Sequence, residues 1–488
     1  MTVFTSPENI IFNGIDIAET FNRDGGYFVV QNVTGRSMGD IELITTSVPG
    51  RRGSIYRGRD VKHRTIQVAF ALKAKSYEDL RKRLEELNSL LLAERDNEIR
   101  FLDEMDRTYY GTVENMQEAE EDSRIHKGVI TIICTDPVKY AAPTTKSFVD
   151  GQVSVQNRGA VTADPVLTFD VGSDITYLDV FTNDDYMRIG RPNEDGLPPI
   201  EPKTIIANGL TDSMTGWSPA TSTEGSTVAG TMASNGFSLS ASSYGTGTSW
   251  HGPAYKYGLP AQLQDFEIQA RVLAKQPNTK AMGKIVIELL DASDNIVGRM
   301  IMYKNKAGSA GNTGAIRVGP ATDYAYTVNT PGDNGVAWKQ FDGVMRITRR
   351  GNRWEGYVAQ VDYTTGKHHT RAHGSFVDAA NKHTAPVASI RVHFGQLGTA
   401  QPLQMNLRGL TVSRLNDVSA KRVPVIAKAG DQIVFDHKDS VVYVNGEPRN
   451  DLKDFGANYW RLPKGVTTIL AEPSDSITGS ITYREGYL

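Results

Sequence analysis

The sequence has almost no cysteine, no long apolar run and almost no net charge. One cysteine, Cys134, occurs in 488 residues, which excludes an intrachain disulfide and Cys-rich zinc or iron–sulfur sites. The N-terminus lacks the basic region and apolar run of a signal peptide, and no stretch of about 18 apolar residues occurs. We therefore expect a protein that is made and folds in the cytoplasm and does not insert into a membrane. Lys and Arg number 53 against 56 Asp and Glu, so no general attraction to nucleic acid is expected.

The motifs of enzymes and cofactor sites are also missing. The stretch GSAGNTG (308–314) lacks the Lys-Ser/Thr of a phosphate-binding loop and is predicted to be a turn. His368, His369 and His373 have no HExxH helix beside them and are predicted to lie in an exposed turn at a hairpin tip. Cys134 ends the apolar run VITIIC, which predicts a buried, inert thiol. The sequence thus predicts no catalytic residue, no metal ligand and no cofactor.

Residues 1–143 combine short β-type runs with one amphipathic helix. Ser76 followed by Asp79 resembles a capping box, and leucines recur after it at three- and four-residue steps. This pattern predicts a helix from about Tyr77 to Ala93. Its charged residues are expected to be solvated or to face a neighbouring subunit: Arg81, Lys82, Arg83, Glu85 and Glu86.

The amino-acid composition of the rest of the chain changes twice. From about 203 to 415 the sequence is rich in Ser, Thr, Gly and Asn and contains many short alternating apolar runs, which predicts an all-β sandwich. The flanking segments 144–202 and 416–488 are each too short to bury a core alone. We therefore predict that they form one β-sandwich together and that 203–415 is inserted into one of its loops.

The 203–415 segment also holds four of the five tryptophans. Trp338 and Trp354 flank strand-like runs and are predicted to lie in the core. Trp250 stands in the glycine-rich stretch GTGTSWHGPAYKYG, and an exposed aromatic ring there could stack on the C–H face of a sugar while polar neighbours bind its hydroxyls. The candidate saccharide-binding residues are Trp250, His251, Tyr255 and Tyr257.

Six motifs in fixed order resemble the distal tail proteins of siphophages that infect Gram-positive bacteria. They are PGRRG (49–53), FLDEMDRTYYGTV (101–113), GVITIICTDPVKY (128–140), NRGAVTADPVLTF (157–169), YVNGEPRND (443–451) and ITYREGYL (481–488). The resemblance covers about 1–195 and 417–488. The segment between looks like the insertion of long "evolved" family members, whose extra domains resemble carbohydrate-binding modules.

The resemblance implies a mainly β protein with three domains. These are an N-terminal ring-forming (belt) domain with one helix (1–143), a galectin-like β-sandwich in two halves (144–202 and 416–488), and an inserted carbohydrate-binding-module-like β-sandwich (203–415). It implies a structural protein rather than an enzyme.

The resemblance also implies where the protein acts and what it contacts. It implies a homo-hexamer at the virion tail tip of a long non-contractile tail. This hub joins the major tail tube protein to the tail-associated lysin or receptor-binding components, and its insert binds host cell-wall saccharide. Two alternatives remain. The insert may serve only as a protein-docking or spacer domain, or the protein is a tail-tip cell-wall hydrolase, which should show a carboxylate pair or metal ligands in a groove.

Overall fold

The computed structural model describes residues 6–488 except 38, 40, 94–96, 123, 194–195, 310 and 419–421. Within these residues the chain forms 38 strands and two α-helices, so the protein is mainly β, as the sequence predicts. The helices of the described chain are too short or too polar to cross a lipid bilayer.

The elements follow one another in four stretches of the chain. The first is β1 (Ile10–Phe12), β2 (Ile15–Asp16), α1 (Ile17–Phe21), β3 (Tyr27–Thr34), β4 (Ile41–Ser47), β5 (Ser54–Val61), β6 (Arg64–Lys73), α2 (Tyr77–Leu91), β7 (Asn97–Phe101), β8 (Tyr109–Asp122), β9 (Ile125–Cys134) and β10 (Lys139–Tyr140). The second is β11 (Thr144–Ser147), β12 (Gln152–Asn157), β13 (Val166–Val171), β14 (Tyr177–Phe181) and β15 (Tyr186–Gly190).

The third stretch is β16 (Lys203–Ala207), β17 (Trp217–Pro219), β18 (Thr227–Val228), β19 (Thr231–Ser234), β20 (Leu239–Ser243), β21 (Trp250–Gly252), β22 (Ala254–Leu263), β23 (Phe266–Lys275), β24 (Gly283–Leu290), β25 (Ile296–Lys304), β26 (Thr313–Val318), β27 (Ala325–Thr330), β28 (Gln340–Arg350), β29 (Arg353–Val361), β30 (His368–Val377), β31 (Val387–Leu397) and β32 (Gln404–Leu415). The fourth is β33 (Gln432–Asp436), β34 (Val441–Val444), β35 (Glu447–Pro448), β36 (Gly465–Glu472), β37 (Ile477–Tyr483) and β38 (Gly486–Tyr487).

The first stretch, the N-terminal unit, is built on a seven-stranded antiparallel sheet of order β2-β1-β7-β8-β9-β6-β3. Helix α2 covers one face, and its cap is the predicted one. The hydroxyl of Ser76 accepts a hydrogen bond from the N–H of Asp79 at 3.1 Å, which satisfies an open donor of the first turn. Cys134 is buried, and so are the leucines of the predicted pattern, which face the sheet: Leu80, Leu84, Leu87 and Leu91. The predicted helix and the predicted buried thiol are therefore confirmed.

The prediction of a solvated charged face on α2 was wrong at Arg83. This residue is only 2% exposed, because it lies on the leucine side of the helix. Its guanidinium donates to the backbone oxygens of Phe21 at 2.7 Å and Arg23 at 2.8 Å. The first oxygen belongs to the last residue of α1 and the second to the turn that follows, so Arg83 ties α2 to the end of α1.

A two-stranded hairpin, β4–β5, stands apart from the seven-stranded sheet. Within the described chain its strands pair only with each other. Its large apolar side chains are exposed, with Leu43 at 62%, Tyr56 at 61% and Ile44 at 50%. An isolated hairpin is marginally stable in water, and the described remainder of the chain leaves these side chains uncovered.

Strands of the second and fourth stretches build one β-sandwich, the C-terminal sandwich. One sheet has the order β11-β37-β13-β33-β34-β35 and the other β12-β36-β14-β15. Strand β13 lies between β37 and β33, so residues more than 250 positions apart are direct neighbours. The sandwich core contains residues of both stretches and none from 203–415.

Motifs from both ends of the chain meet where the N-terminal unit joins this sandwich. Strand β10 pairs with β38. Arg484 donates to the hydroxyl of Tyr110 at 2.6 Å and to the backbone oxygen of Ala141 at 2.9 Å. Its guanidinium lies 5.4 and 5.2 Å from the ring centres of Tyr110 and Tyr140. Three of the six sequence motifs thus contribute to one cation–π contact that joins the two units.

Strands β16–β32 form the central unit, a second and larger sandwich. Its eight-stranded sheet has the order β19-β20-β32-β23-β28-β29-β30, with β16 on β32. Its nine-stranded sheet has the order β17-β22-β31-β24-β25-β26-β27, with β21 beside β31 and β18 beside β21. Trp338 and Trp354 are fully buried between the sheets, which confirms their predicted core position.

The central unit leaves and re-enters the C-terminal sandwich at one place. Lys203 on β16 pairs with Leu415 on β32, so its two ends are neighbours. On the adjoining seam, the guanidinium of Arg346 donates twice to the carboxylate of Glu447, at 2.8 and 2.5 Å. Burial raises the pKa of Glu447, but the bond to Arg346 outweighs it and holds this pKa below its ordinary value.

Candidate binding surface of the central unit

The nine-stranded sheet of the central unit is buried on both faces at its centre. All eight residues of β24 are buried. Ile285, Ile287 and Leu289 face the core, so Lys284 and Glu288 lie on the outer face. Lys284 and Glu288 are only 7% and 0% exposed, and buried charges need partners. The segment around Glu224 covers this face, and we call it the covering segment.

A row of charged residues crosses this outer face. Strand pairing aligns Arg391, Glu288, Arg299 and Arg317 on four neighbouring strands. The carboxylate of Glu288 accepts from Arg391 Nε at 2.6 Å and from the N–H of Glu224 at 3.2 Å. Glu224, in the covering segment, accepts in turn from Arg299 at 2.5 Å and from Arg317. The covering segment is therefore fixed to the sheet by ion pairs.

The same contacts determine the protonation state of Glu224. Burial raises the pKa of its carboxyl, but Arg299 and Arg317 outweigh burial and hold the pKa below its ordinary value. A general acid in glycoside hydrolysis needs a carboxyl whose pKa is raised. Glu224 is shifted in the opposite direction, so its carboxylate is suited to holding a loop and not to donating a proton.

Four aromatic side chains lie on this outer face, and we call them the aromatic strip. Tyr303 is opposite Lys284, and Tyr326 is opposite Arg317, so both share the face of the charged row. Tyr324 and Tyr326 are 50% and 43% exposed and meet edge to face at 5.3 Å. The aromatic strip consists of Trp250, Tyr303, Tyr324 and Tyr326.

Lys284 contacts the ring of Trp250 in the aromatic strip. Its Nζ lies 4.8 Å from the ring centre of Trp250 and donates to the backbone oxygen of Gly225 at 3.1 Å. Burial lowers the pKa of Lys284 to about 8, so its ammonium group remains mainly charged at neutral pH. The cation–π contact fixes the partly buried indole and leaves the remaining exposed ring surface for a ligand.

The structure does not bring the four predicted residues together on one surface. Trp250 lies on the outer face beside Lys284. His251 is only 2% exposed, and its Nδ1 is 2.9 Å from the backbone oxygen of Ser249. Tyr255 and Tyr257 pair with the core residues Val392 and Ile390 of β31 and pack against the hydrophobic core. His251, Tyr255 and Tyr257 therefore contribute to the folding of the central unit.

The other aromatic residues of this outer face come from distant parts of the sequence. Tyr303, Tyr324 and Tyr326 belong to the aromatic content of the segment, but the sequence did not connect them with Trp250. On the outer face of β25 and β26, the available signal is the recurrence of Arg299, Tyr303, Thr313 and Arg317, which Ile301 and Ala315 interrupt. That signal identifies an outer face without giving its neighbours.

The three histidines lie in a strand and not in the predicted turn, whereas the predicted exposure is confirmed for His369 and His373 and not for the half-buried His368. His368, His369 and His373 lie in β30, which pairs with β29 over most of its length. A ring nitrogen of His368 is 2.9 Å from the hydroxyl of Tyr357. In the described part of the chain, no group of three or more His, Cys, Asp or Glu side chains could hold a metal ion.

Comparison with known proteins gives two family matches and one curated relative. Residues 15–134 match the phage tail protein RIFT-related domain, and residues 399–487 match the C-terminal domain of the siphovirus-type tail component. The distal tail protein of Bacillus phage SPP1 is 33% identical over 162 residues, which is 32% of this chain. The match spans 64% of that relative, slightly less than two thirds of its length.

Two solved structures were also found. The crystal structure of the SPP1 distal tail protein is 28% identical, with 38% of this chain and 74% of that chain covered and a TM-score of 0.34. The CBM2 module of the evolved distal tail protein of Lactobacillus casei BL23 phage J-1 is 12% identical, with 45% of this chain and 100% of that chain covered and a TM-score of 0.38. On the two family matches and the curated relative, the chain is similar to the distal tail proteins of siphophages.

Proposed function

We propose that the protein is the structural hub of a siphophage tail tip. Six copies form a ring through their N-terminal units (1–143). The ring links the major tail tube protein to the lysin or receptor-binding components, after synthesis in the host cytoplasm. The C-terminal sandwich (144–202 and 416–488) carries the central unit (203–415) as an inserted domain, and this domain binds host cell-wall saccharide through the aromatic strip.

The observation that carries the ring is the β4–β5 hairpin. Four large apolar side chains are exposed on this hairpin: Leu43, Ile44, Val48 and Tyr56. The segment 41–63 also contains five Lys and Arg against two acidic residues. Contact between different patches of neighbouring copies is the geometry that closes a ring, and exposed apolar side chains on the hairpin support such a contact.

Native mass spectrometry tests the ring. The wild-type chain should give a species of about 320 kDa, six times the 53.5 kDa of one chain. The double variant Leu43→Asp/Tyr56→Asp should give monomers because charge is introduced where apolar contact is expected. Leu92→Asp is the matched control, since Leu92 is 89% exposed and lies outside the hairpin. A monomeric wild type, or a double variant that assembles normally, would count against the ring.

The aromatic strip supports saccharide binding. Tyrosine and tryptophan rings offer apolar faces to the C–H groups of a sugar. The rings are held by contacts to Lys284 and Arg317, so little side-chain freedom is lost on binding. The low pKa of Glu224 supports binding without hydrolysis, which is why we do not favour a hydrolase.

Retention on host cell walls tests the saccharide site. Trp250→Ala should abolish retention while the melting temperature falls only slightly, because the partly exposed ring contributes little to the core. Phe455→Ala is the control, since Phe455 is a fully exposed aromatic residue of the C-terminal sandwich. Unchanged retention in Trp250→Ala would leave the central unit as a spacer or protein-docking domain. Soluble sugar released by the wild type would support a hydrolase.

A further inference from the structure

A second groove lies on the opposite sheet of the central unit, away from the aromatic strip. Two adjoining cavities of about 400 Å³ each share Arg271 and Arg408 in their walls. Arg271 lies between the core residues Ala270 and Val272 of β23, so its side chain is on the outer face of the eight-stranded sheet. Arg408 lies at a bulge of β32, and its side chain is exposed. The hydrophobic core separates this groove from Trp250.

The two arginines differ in their partners. Arg408 Nη1 donates to both carboxylate oxygens of Asp342 at 2.9 Å, so its charge is compensated. Arg271 makes no ion pair within 4 Å among the described residues, and its guanidinium lies 5.0 Å from the ring centre of Tyr363. Arg271 also hydrogen-bonds with the side chain of Tyr363, and the remaining N–H donors of its guanidinium can bind an anion.

A glycine makes room for Arg271. Gly409 pairs with Arg271 across β32 and β23. A Cβ added to Gly409 would lie 3.3 Å from Cδ and 3.5 Å from Cγ of Arg271. The aliphatic part of the arginine therefore lies directly over this glycine, which helps to hold its position in the groove.

Two aromatic rings line the same cavity. Phe237 is 80% exposed and Tyr363 is 44% exposed. Phe237 sits in a turn that Asn235 fixes, because Oδ1 of Asn235 accepts from the N–H groups of Phe237 at 3.0 Å and Ser238 at 2.8 Å. Because the turn holds the Phe237 side chain in water, this side chain does not stabilise the core. It provides an apolar platform for a ligand instead.

We propose that this groove binds a sugar ring that carries one acidic group, either a carboxylate or a phosphate. The ring packs on Phe237 and Tyr363, and the acidic group accepts two hydrogen bonds from the fork of Arg271. The amides of Asn235 and Asn406, which also line this cavity, bind sugar hydroxyls. The site goes beyond the saccharide binding proposed for the aromatic strip, since it lies on another sheet and selects for charge.

Isothermal titration of the full chain tests this assignment with five probes. These are methyl β-D-glucopyranoside, D-glucuronate, glucose 6-phosphate, acetate and inorganic phosphate. At least one acidic sugar should bind tenfold or more tightly than the neutral glucoside, and its identity decides between carboxylate and phosphate. Each acidic sugar should also bind more tightly than its sugar-free anion because the rings contribute.

Substitutions assign the binding to the groove. Arg271→Gln should reduce acidic-sugar affinity at least tenfold, to the level of the neutral glucoside, and Arg271→Lys should restore only part of it. Phe237→Ala should weaken the acidic sugar but not the free anion, and its position in an exposed turn keeps the fold intact. Arg353→Gln, at an exposed arginine of the same sheet, is the control and should bind like the wild type.

The outcomes separate this site from the aromatic strip. Trp250→Ala should leave acidic-sugar binding unchanged, whatever it does to retention on cell walls. Equal affinities for neutral and acidic sugars, or wild-type affinity in Arg271→Gln, would overturn the assignment. So would acidic-sugar binding that depends on Trp250 and not on Phe237.

Discussion

Removal of the central unit is the strongest test of the modular architecture. Lys203 and Leu415 form a cross-strand pair, so their Cα atoms are about 5 Å apart. A two-residue Asn-Gly turn spans such a pair. We predict that replacing residues 204–414 by Asn-Gly leaves the C-terminal sandwich folded, because its core contains no residue of the deleted segment.

The expected loss of stability follows from the contacts at the seam. The Arg346–Glu447 pair is partly exposed, at 18% and 19%, and such a pair contributes about 1 kcal/mol. The hydrogen bond from the N–H of His368 to the oxygen of Gly446 contributes about another 1 kcal/mol. Excision of the central unit also exposes the carboxylate of Glu447 to water, so no buried charge is left without a partner. At about 4 °C per kcal/mol, a total of about 2 kcal/mol lowers the melting temperature of the sandwich by about 8 °C.

Differential scanning calorimetry on three proteins measures this. The full chain should show a transition that is absent from the excised protein and present in isolated 203–415. Glu447→Gln in the full chain serves as the control, since it removes the charge of the seam without any deletion. Aggregation of the excised protein together with an unfolded 203–415 fragment would refute the reasoning, because it would mean that the two sandwiches fold as one unit.

Two further predictions concern buried groups. Burial lowers the pKa of His437 to about 4 and of His393 to about 3. Because these values lie below the unfolded value of about 6.5, both rings contribute stability above pH 6.5 that is lost as the pH falls towards 4. For His437 the loss is about 3 kcal/mol, and thermal unfolding between pH 7 and 4.5 should show a smaller pH dependence in His437→Asn. Trp354→Ala should destabilise the central unit by about 3 to 5 kcal/mol, since this ring is fully buried, and denaturant unfolding of the full chain should show the loss in one transition while the others remain unchanged.

The local elements were predictable where one short stretch contains the whole signal. The start of α2 depends on Ser76 and Asp79, which are three residues apart, and its buried side depends on leucines within four turns. Arg83 was predicted wrongly because an arginine is charged by default, and only the fold reveals the backbone oxygens of Phe21 and Arg23 that its guanidinium reaches. The turn predicted for the histidines of β30 was wrong because their strand is determined by pairing with β29.

The binding surfaces were less predictable, since side chains from distant segments form them. Trp250 was proposed with its sequence neighbours Tyr255 and Tyr257, but pairing with β31 turns those two rings towards the core. The groove around Arg271 combines residues of β23 and β32 with the turn before β20 and with Tyr363. No periodicity connects such positions.

The sequence by itself determined the class of fold, the helix cap, the buried tryptophans and the motifs of the family, because these depend on composition and on short spacings. The tertiary structure alone decided which face of each strand meets the core. Alternation with period two defines two faces of a strand but does not distinguish them once both are buried, as in β24. That choice depends on strand pairs such as Val166 with Thr482, which lie far apart in the chain, and on the covering segment that brings Glu224 to Arg299 and Arg317.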